Sequence, residues 1–310
     1  MARRVAIIGT GWVGSSVAIS TLQLGVADEL LLHDVRTEVA EGEAMDLAQG
    51  SSFYPAATVR TATIDEMIDA DAIVIAAGRN GKPGESRLAM LRDNAALARE
   101  LGARLAAARG VIVVVTNPVD VLTRVVLEAS GLSSSRVIGT GTMLDTARLR
   151  EALARELELD PRSVHAQVVG EHGDSEVVLW SSVQIGGVTL AQWPGWHADR
   201  ETLIAGEVRS AAYEIIKRKG ATNHAIGLVT ATLLRTILRG ERRVLTVSRW
   251  QEGASGLRDV ALSMPTIVGS GGAELVLEPQ MLPQERERLG RSAQVLRDAY
   301  ASVLASVCDA

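Results

Sequence analysis

The segment Arg4-Val5-Ala6-Ile7-Ile8-Gly9-Thr10-Gly11-Trp12-Val13-Gly14 decides the fold. Its first five residues predict a short buried strand, and an amphipathic helix is expected from about Ser15 to Leu24. Between them the glycines have Gly-x-Gly-x-x-Gly spacing: Gly9 permits a tight turn, Gly11 lets the backbone approach a pyrophosphate, and Gly14 allows close helix–strand packing. The segment therefore predicts a dinucleotide-binding unit, with a purely structural glycine turn as the alternative.

An acidic residue ends the next predicted strand. Leu30-Leu31-Leu32-His33 is followed by Asp34, about 20 residues after the glycines, where the acid of the dinucleotide motif is expected. A carboxylate there can accept hydrogen bonds from the ribose hydroxyls and would repel a 2′-phosphate. The preferred cofactor is therefore NAD rather than NADP.

Residues 1–141 alternate apolar strands with helices, which predicts a Rossmann-type, doubly wound parallel sheet covered on both faces. Ligands of such sheets bind beyond the carboxyl ends of the strands. Three of these ends carry polar or glycine-rich segments, namely Gly9–Gly14, Gly78–Arg87 and Thr116-Asn117-Pro118. We interpret Gly78–Arg87 as a mobile loop over the cofactor crevice, with an ordinary solvated loop as the alternative. The other predicted strands lie near residues 58–62, 71–77, 111–115 and 136–139, and the helices near 38–49, 86–108 and 119–129.

Residues 142–310 are predicted to form a second, α+β domain, because several strands follow one another without intervening helices. No repeat or low-complexity linker separates the halves, which indicates tightly joined domains. The expected strands lie near residues 164–169, 176–185, 188–190, 244–250 and 260–268, and the expected helices near 142–158, 199–219, 222–238 and 283–307.

Composition excludes several classes of function. The 310 residues carry a net charge of −5, which argues against nucleic-acid or anionic-membrane binding. No apolar stretch is long enough to span a bilayer. The single cysteine, Cys308, fits a reducing cytoplasm, and the five histidines show no metal-ligand spacing, so no metal is expected.

Candidate chemistry gathers in the second half. His172 stands between Gly170 and Gly173, and a histidine can exchange protons near neutral pH; an isolated motif of this kind is more often a simple turn. Asp145 and Arg148 are three residues apart and share a helix face, whereas Arg150 must point elsewhere. A plain solvated helix is the alternative for these charges.

Taken together, the motifs resemble the L-lactate/malate dehydrogenase family over essentially the whole chain, and most of all its bacterial NAD-dependent L-lactate members. Five motifs carry this resemblance: the glycine-rich motif and four others. These are Lys82-Pro83-Gly84-Glu85-Ser86-Arg87-Leu88, Thr116-Asn117-Pro118-Val119-Asp120, Leu144-Asp145-Thr146-Ala147-Arg148 and Gly170-Glu171-His172-Gly173-Asp174.

The resemblance implies a catalytic assignment. His172 would be the acid/base for the C2 oxygen, and Asp145 would orient its ring and favour the imidazolium. Arg148 would bind the substrate carboxylate with a two-pronged fork, and Arg87 would polarise the carbonyl from the closing loop.

Further contacts are implied for substrate and cofactor. Asn117 would donate to the same oxygen as Arg87, and Thr222 would line the substrate pocket, together with the loop residue Gly81. The expected cofactor contacts are Gly9, Gly11, Trp12, Val13, Gly14, Asp34, Gly78, Arg79, Asn94, Thr116 and Asn117.

Regulation and assembly also follow from the resemblance. Arg150 and His165 match positions at which allosteric bacterial members bind fructose 1,6-bisphosphate across a subunit interface. An unregulated anion site is the alternative. The resemblance further implies a cytoplasmic homotetramer acting in glycolysis and fermentation.

One position departs from the family pattern. Gly81 precedes Lys82 where lactate dehydrogenases usually have Gln and malate dehydrogenases Arg, so we expect tolerance of bulkier 2-oxo acids. Arg79 could reach the distal carboxylate of oxaloacetate, although facing the cofactor or solvent is the favoured orientation. The alternatives are therefore a malate dehydrogenase, a broader L-2-hydroxyacid dehydrogenase and, in another class, a non-catalytic NAD-binding sensor.

Overall fold

A computed structural model describes residues 2–79 and 87–308, without the side chains of residues 87–88 and 305–308. Its first half alternates strands with helices, as predicted. The strands are β1 (Arg4–Ile8), β2 (Glu29–His33), β3 (Thr58–Thr61), β4 (Ala72–Ile75), β5 (Val111–Val114) and β6 (Val137–Gly139). The helices are α1 (Trp12–Gln23), α2 (Thr37–Gln49), α3 (Ile64–Met67), α4 (Arg87–Arg104) and α5 (Val119–Ser130).

These six strands pair in parallel in the order β3-β2-β1-β4-β5-β6. Successive side chains of a strand point to opposite faces, and here both faces are packed. In β1, for example, Ala6 and Ile8 join one buried cluster while Val5 and Ile7 join the other. Burial on both faces explains why β1, β4 and β5 are almost wholly apolar, whereas the edge strand β3 (Thr58–Thr61) is polar and partly exposed. The reversal of strand order beside β1 creates the crevice where ligands of this fold bind.

The second half supplies longer helices and a series of short strands. The helices are α6 (Met143–Leu157), α7 (Asp199–Lys219), α8 (His224–Arg239) and α9 (Pro283–Cys308). The strands are β7 (Val164–His165), β8 (Val168–Val169), β9 (Val177–Val178), β10 (Gln184–Ile185), β11 (Val188–Thr189), β12 (Arg243–Glu252), β13 (Arg258–Gly269) and β14 (Gly272–Val276).

The two halves share one sheet. Strand β12 pairs antiparallel with β6, where its Ser248 lies opposite Gly139. Strands β13 and β14 then extend the sheet, each antiparallel to the strand before it. A Cβ atom on Gly139 would lie 2.4 Å from the Thr123 hydroxyl oxygen, so this strand needs glycine to pack against α5. The sequence did not predict the junction, because pairing between distant segments leaves no local pattern. The domain boundary predicted after residue 141 falls between β6 and α6.

Several predicted elements differ from the structure. The strand predicted over residues 164–169 divides into β7 and β8, which lie in different sheets, and the helix predicted over residues 86–108 ends at Arg104. The first helix begins at Trp12 rather than Ser15, so the last glycine of the motif already lies inside it. The strand predicted over residues 176–185 is wrong: it breaks into β9, a 3₁₀ turn at Trp180–Ser182 and β10. The backbone N–H and the hydroxyl of Ser181 both donate to the Glu285 carboxylate of α9, and this anchor holds the turn.

Strand β14 was also not predicted, and the helix expected from residue 222 begins at His224. Within residues 2–79 and 87–308, no helix is long and apolar enough to cross a membrane.

Candidate active site and cofactor crevice

The glycine-rich turn has the geometry that its sequence predicts. Gly9 has a φ of +97°, and a Cβ atom there would lie 2.4 Å from the Ala77 nitrogen. A Cβ atom on Gly14 would lie 1.8 Å from the Gly9 carbonyl oxygen, whereas one on Gly11 would meet no atom within 4 Å. Gly9 and Gly14 are therefore required by packing, and Gly11 leaves open backbone at the start of α1. A helix N-terminus that is open in this way suits a pyrophosphate.

Asp34 lies beside this turn with its side chain 11% exposed. Its carboxylate accepts hydrogen bonds from the backbone N–H groups of Thr10, at 2.9 Å, and Arg36, at 3.0 Å. Burial raises the pKa of Asp34, but these donors outweigh burial and hold it below its usual range. The carboxylate is thus ionised at neutral pH, as a partner for ribose hydroxyls must be.

The ends of β4 and β5 meet at the other side of the crevice, and Asn94 hydrogen-bonds to both segments. Its Oδ1 accepts from the Arg79 N–H at 2.9 Å, and its Nδ2 donates to the carbonyl oxygens of Arg79 and Asn117. Thr116 donates its hydroxyl proton to the Ala77 carbonyl oxygen at 2.7 Å. A Cβ atom on Gly78 would lie 2.3 Å from the Thr116 methyl group, so this position also requires glycine.

These residues enclose a cavity of about 650 Å³ between the sheet and the end of α7. Eight residues predicted from the sequence line it: Gly11, Trp12, Val13, Gly78, Arg79, Thr116, Asn117 and Thr222. A neighbouring cavity of about 560 Å³ is lined by Gly9, Asp34 and Asn94, among others. The two cavities share Gly11, Gly78 and Arg79, which makes a continuous crevice that fits an extended dinucleotide.

The candidate acid/base is held by a buried carboxylate. His172 Nδ1 lies 2.5 Å from Asp145 Oδ2, and Asp145 Oδ1 accepts from the Arg148 guanidinium at 2.9 Å. Burial lowers the pKa of His172, but the Asp145 carboxylate outweighs burial and raises that pKa to about 9. The imidazole is therefore protonated at neutral pH, and the bond at Nδ1 leaves Nε2 to face a substrate.

The loop that carries His172 is fixed on both sides. Gly170, at φ +86°, pairs with Ser263 of β13 through two backbone hydrogen bonds, and a Cβ atom on it would lie 2.7 Å from the Ser292 hydroxyl oxygen. The His172 N–H donates to the Asp120 carboxylate at 2.8 Å. Since Asp120 follows Asn117 by three residues, at the start of α5, the same segment lines the cofactor cavity and supports the histidine.

The two arginines of α6 contact different groups. Arg148 pairs with Asp145, whereas Arg150 donates to the Ala166 carbonyl oxygen at 3.1 Å. Burial lowers the pKa of Arg150, and the nearby Arg243 guanidinium lowers it further. His165 is exposed on the adjacent β7. These groups form a basic corner on the far side of α6 from the histidine.

Several predicted residues cannot be placed. Gly81 and the motif residues 82–86 lie outside the described residues, and Arg87 begins α4 without a described side chain. Arg79 lines the cofactor cavity while its guanidinium pairs with Asp93 at 2.7 Å, which agrees with the orientation favoured from the sequence.

The sequence did not predict every residue that lines the cavity. Met90 of α4, Ile216 of α7 and Ala221 of the loop between α7 and α8 also line it, but single apolar residues carry no distinctive signal. The sequence also gave no role to Asp120, which contacts the His172 backbone. The only signal for it was its position at the end of the Thr116–Asp120 motif.

Family models match both halves of the chain. The lactate/malate dehydrogenase NAD-binding domain matches residues 3–139, and the α/β C-terminal domain of the same family matches residues 142–307. The chain belongs to the lactate/malate dehydrogenase family. This finding confirms the family predicted from the motifs, the Rossmann fold and the NAD-binding assignment of the first half.

Lactate/malate dehydrogenase relatives align over nearly their full length. The L-lactate dehydrogenase of Salinibacter ruber is 44% identical, covering 97% of this chain and 98% of the relative. The L-lactate dehydrogenase of Thermus aquaticus is 42% identical, and the alignment covers 97% of this chain and 99% of the relative. Among solved structures, the minor L-lactate dehydrogenase from Enterococcus mundtii in its ligand-bound form has a TM-score of 0.95 at 40% identity, covering 97% of this chain and 98% of that one.

Proposed function

We propose that this protein is an NAD-dependent L-lactate dehydrogenase that reduces pyruvate reversibly to (S)-lactate. One observation carries the proposal: a single buried carboxylate, Asp145, holds both a protonated histidine and an arginine next to the NAD crevice. A non-catalytic NAD sensor would need the crevice but has no use for this cluster.

The chemistry divides between the cofactor and the protein. NADH, when bound, supplies a hydride for C2 of the substrate. His172 donates a proton from Nε2 to the C2 oxygen, and in the reverse direction the neutral ring takes the proton from the hydroxyl group. Asp145 keeps the ring oriented and stabilises its charged form. After pyruvate is reduced, the neutral His172 ring takes up one proton from solvent before the next turnover.

Substrate recognition requires a carboxylate partner and donors for the C2 oxygen. Arg148 is 15% exposed and is fixed by Asp145, so its remaining N–H groups can bind the substrate carboxylate in a forked geometry. We assign Asn117 and Thr222 to the substrate end of the cavity that they line. We assign Arg87 to the C2 oxygen of the substrate, which its guanidinium would polarise.

Substrate range depends on Gly81. Glycine provides no cation for a second carboxylate, which disfavours oxaloacetate, and no amide to restrict the substrate side chain. We therefore propose that pyruvate is the main substrate and that longer 2-oxo acids are also reduced.

Regulation and assembly form a further part of the proposal. Arg150 and Arg243 repel each other in a partly buried setting, and an anion between them would relieve this repulsion. With His165 nearby, we propose a fructose 1,6-bisphosphate site at a subunit interface of a homotetramer. We also expect the enzyme to act in the cytoplasm, in fermentation coupled to glycolysis.

The test is NADH oxidation, followed by absorbance, with pyruvate, 2-oxobutyrate, 2-oxoisocaproate and oxaloacetate. We expect kcat/KM to be highest for pyruvate and lowest for oxaloacetate. His172→Asn should reduce kcat at least about 100-fold, as loss of an acid/base does, while the Kd of NADH stays nearly unchanged. An inactive wild-type protein that binds NADH would support the sensor instead.

A further inference from the structure

A second buried carboxylate, that of Asp120, contacts the backbone of His172. Asp120 lies in the first turn of α5 and is 2% exposed. Its Oδ2 accepts the backbone N–H of His172 at 2.8 Å. Its Oδ1 is buried without a well-formed hydrogen bond, although the Ser248 hydroxyl lies close enough to favour the charged form. Burying an incompletely paired carboxylate costs stability, so its presence calls for a reason.

The charges of the cluster supply that reason. Asp145 is shared, since one oxygen contacts His172 and the other contacts Arg148. One carboxylate cannot neutralise two cations, and the Arg148 charge opposes protonation of His172 whereas the Asp120 charge favours it. With Asp120 ionised, two carboxylates balance two cations.

We propose that Asp120 is a second positioning carboxylate for His172, which anchors the catalytic loop through its peptide N–H and balances the charge that Arg148 brings to the site. The part of this inference that concerns catalysis, namely that Asp120 positions an acid/base residue, rests on the proposed dehydrogenase function. The effect of the Asp120 charge on the protonation of His172 does not depend on that function, because it can be measured without substrate turnover.

The surroundings of both groups define the pH range in which the pair is charged. Burial raises the pKa of Asp120 to about 6, and the Glu171 carboxylate on the catalytic loop adds to this effect. Arg124 and Tyr300 line a very small cavity with Asp120, but the Arg124 guanidinium stacks on Tyr300 and pairs with Glu128.

Asp145, Asp120 and Arg148 face His172, and Glu176 follows it on the same loop. Asp120 is therefore ionised above a pH of about 6, and His172 is protonated below a pH of about 9.

The variant Asp120→Asn separates charge from structure, because the amide oxygen can still accept the His172 N–H. The readout is the NMR titration of the His172 ring in histidine-labelled protein, assigned with His172→Asn. We expect the midpoint to fall by roughly 0.5–1 pH unit. Glu151→Gln removes an exposed charge from α6, the helix that carries Asp145, and should leave the midpoint unchanged. An unchanged midpoint in Asp120→Asn would overturn the proposal.

Unmodified protein provides a second measurement in case Asp120→Asn does not fold. The backbone N–H of His172 donates directly to Asp120, so its amide chemical shift should show an inflection near pH 6 when that carboxyl gains a proton. An inflection at or below that pH means that Asp120 is ionised at neutral pH, whereas one that appears only above neutral pH would contradict the proposal.

Kinetics then distinguish positioning from a purely structural role. In Asp120→Asn, the alkaline fall of kcat/KM for pyruvate should move to lower pH by the same amount as the NMR midpoint of His172. An equal loss at every pH would indicate a structural role only. If wild-type protein does not reduce pyruvate, the proposed function fails, whereas the NMR titrations still decide the role of Asp120.

Discussion

The Asp145 carboxylate sets the chemistry of the site through its two oxygen atoms. One oxygen fixes the His172 ring and keeps it protonated, and the other fixes the arginine assigned to the substrate. Both tasks require ionisation in a buried position, and the adjacent cations hold the pKa of Asp145 below its usual range although burial opposes them. A single side chain thereby couples proton supply to substrate orientation.

The pH dependence should report this coupling. Because the pKa of His172 is raised to about 9, kcat/KM for pyruvate should be level below that pH and fall above it, as the ring loses its proton. Lactate oxidation needs the neutral ring and should rise over the same range. Asp145→Asn removes the main charge that raises this pKa, so both inflections should move to lower pH. Inflections that stay in place would contradict the assigned role.

Arg148 should be irreplaceable by lysine. Arg148→Lys keeps the charge but loses the planar fork, and loss of one charged hydrogen bond of about 1.5–3 kcal/mol should raise KM for pyruvate roughly 10- to 100-fold. Arg155→Lys, on the solvent side of the same helix, is the matched control and should leave KM unchanged. Equal effects of the two variants would argue against a specific contact.

At the scale of elements, the turn between β1 and α1 is decided by atomic packing. The helix begins within the glycine motif, which directs its first N–H groups at the crevice. The sequence pattern predicted this turn well because every requirement, from positive φ to close packing, is local to a few residues. It misplaced the start of the helix by three residues, from 12 to 15.

Gly14 offers a test of this packing. Gly14→Ala would place a Cβ atom 1.8 Å from the Gly9 carbonyl oxygen, so the turn must shift, at a cost of about 1–3 kcal/mol. We expect a lower Tm and a weaker Kd for NADH. Gly42→Ala in α2, where a Cβ atom meets no neighbour within 4 Å, should instead raise the stability by about 0.5–1 kcal/mol. A Gly14→Ala variant with normal NADH affinity would contradict the role given to the turn.

At the scale of the whole molecule, one sheet joins the cofactor half to the catalytic half. Strand β13 contacts the catalytic loop at Gly170, while β12 extends the parallel sheet at β6. The positions of His172 and of the NAD crevice are thus set by a common rigid element, as hydride transfer between them requires.

The basic corner around Arg150 is the place at which we propose that fructose 1,6-bisphosphate binds. Fructose 1,6-bisphosphate should lower the pyruvate concentration at half-maximal rate, and Arg150→Gln should abolish that shift. Arg162→Gln, an exposed arginine paired with Asp160, is the control that should retain it. A saturation curve that does not respond to the ligand in wild-type protein would remove regulation from the proposal.

The sequence by itself determined the parallel half of the fold and its dinucleotide-binding turn, because glycine spacing and apolar strand patterns extend over only a few residues. The roles of Asp34, His172, Asp145 and Arg148 stay predictions, the last three from the resemblance of their motifs to the family. Tertiary structure alone decided that β12 continues the sheet at β6, that the segment after His172 breaks at an anchor on α9, and that Asp120 lies under the histidine. Each depends on packing between segments far apart in the chain, for which no local pattern exists.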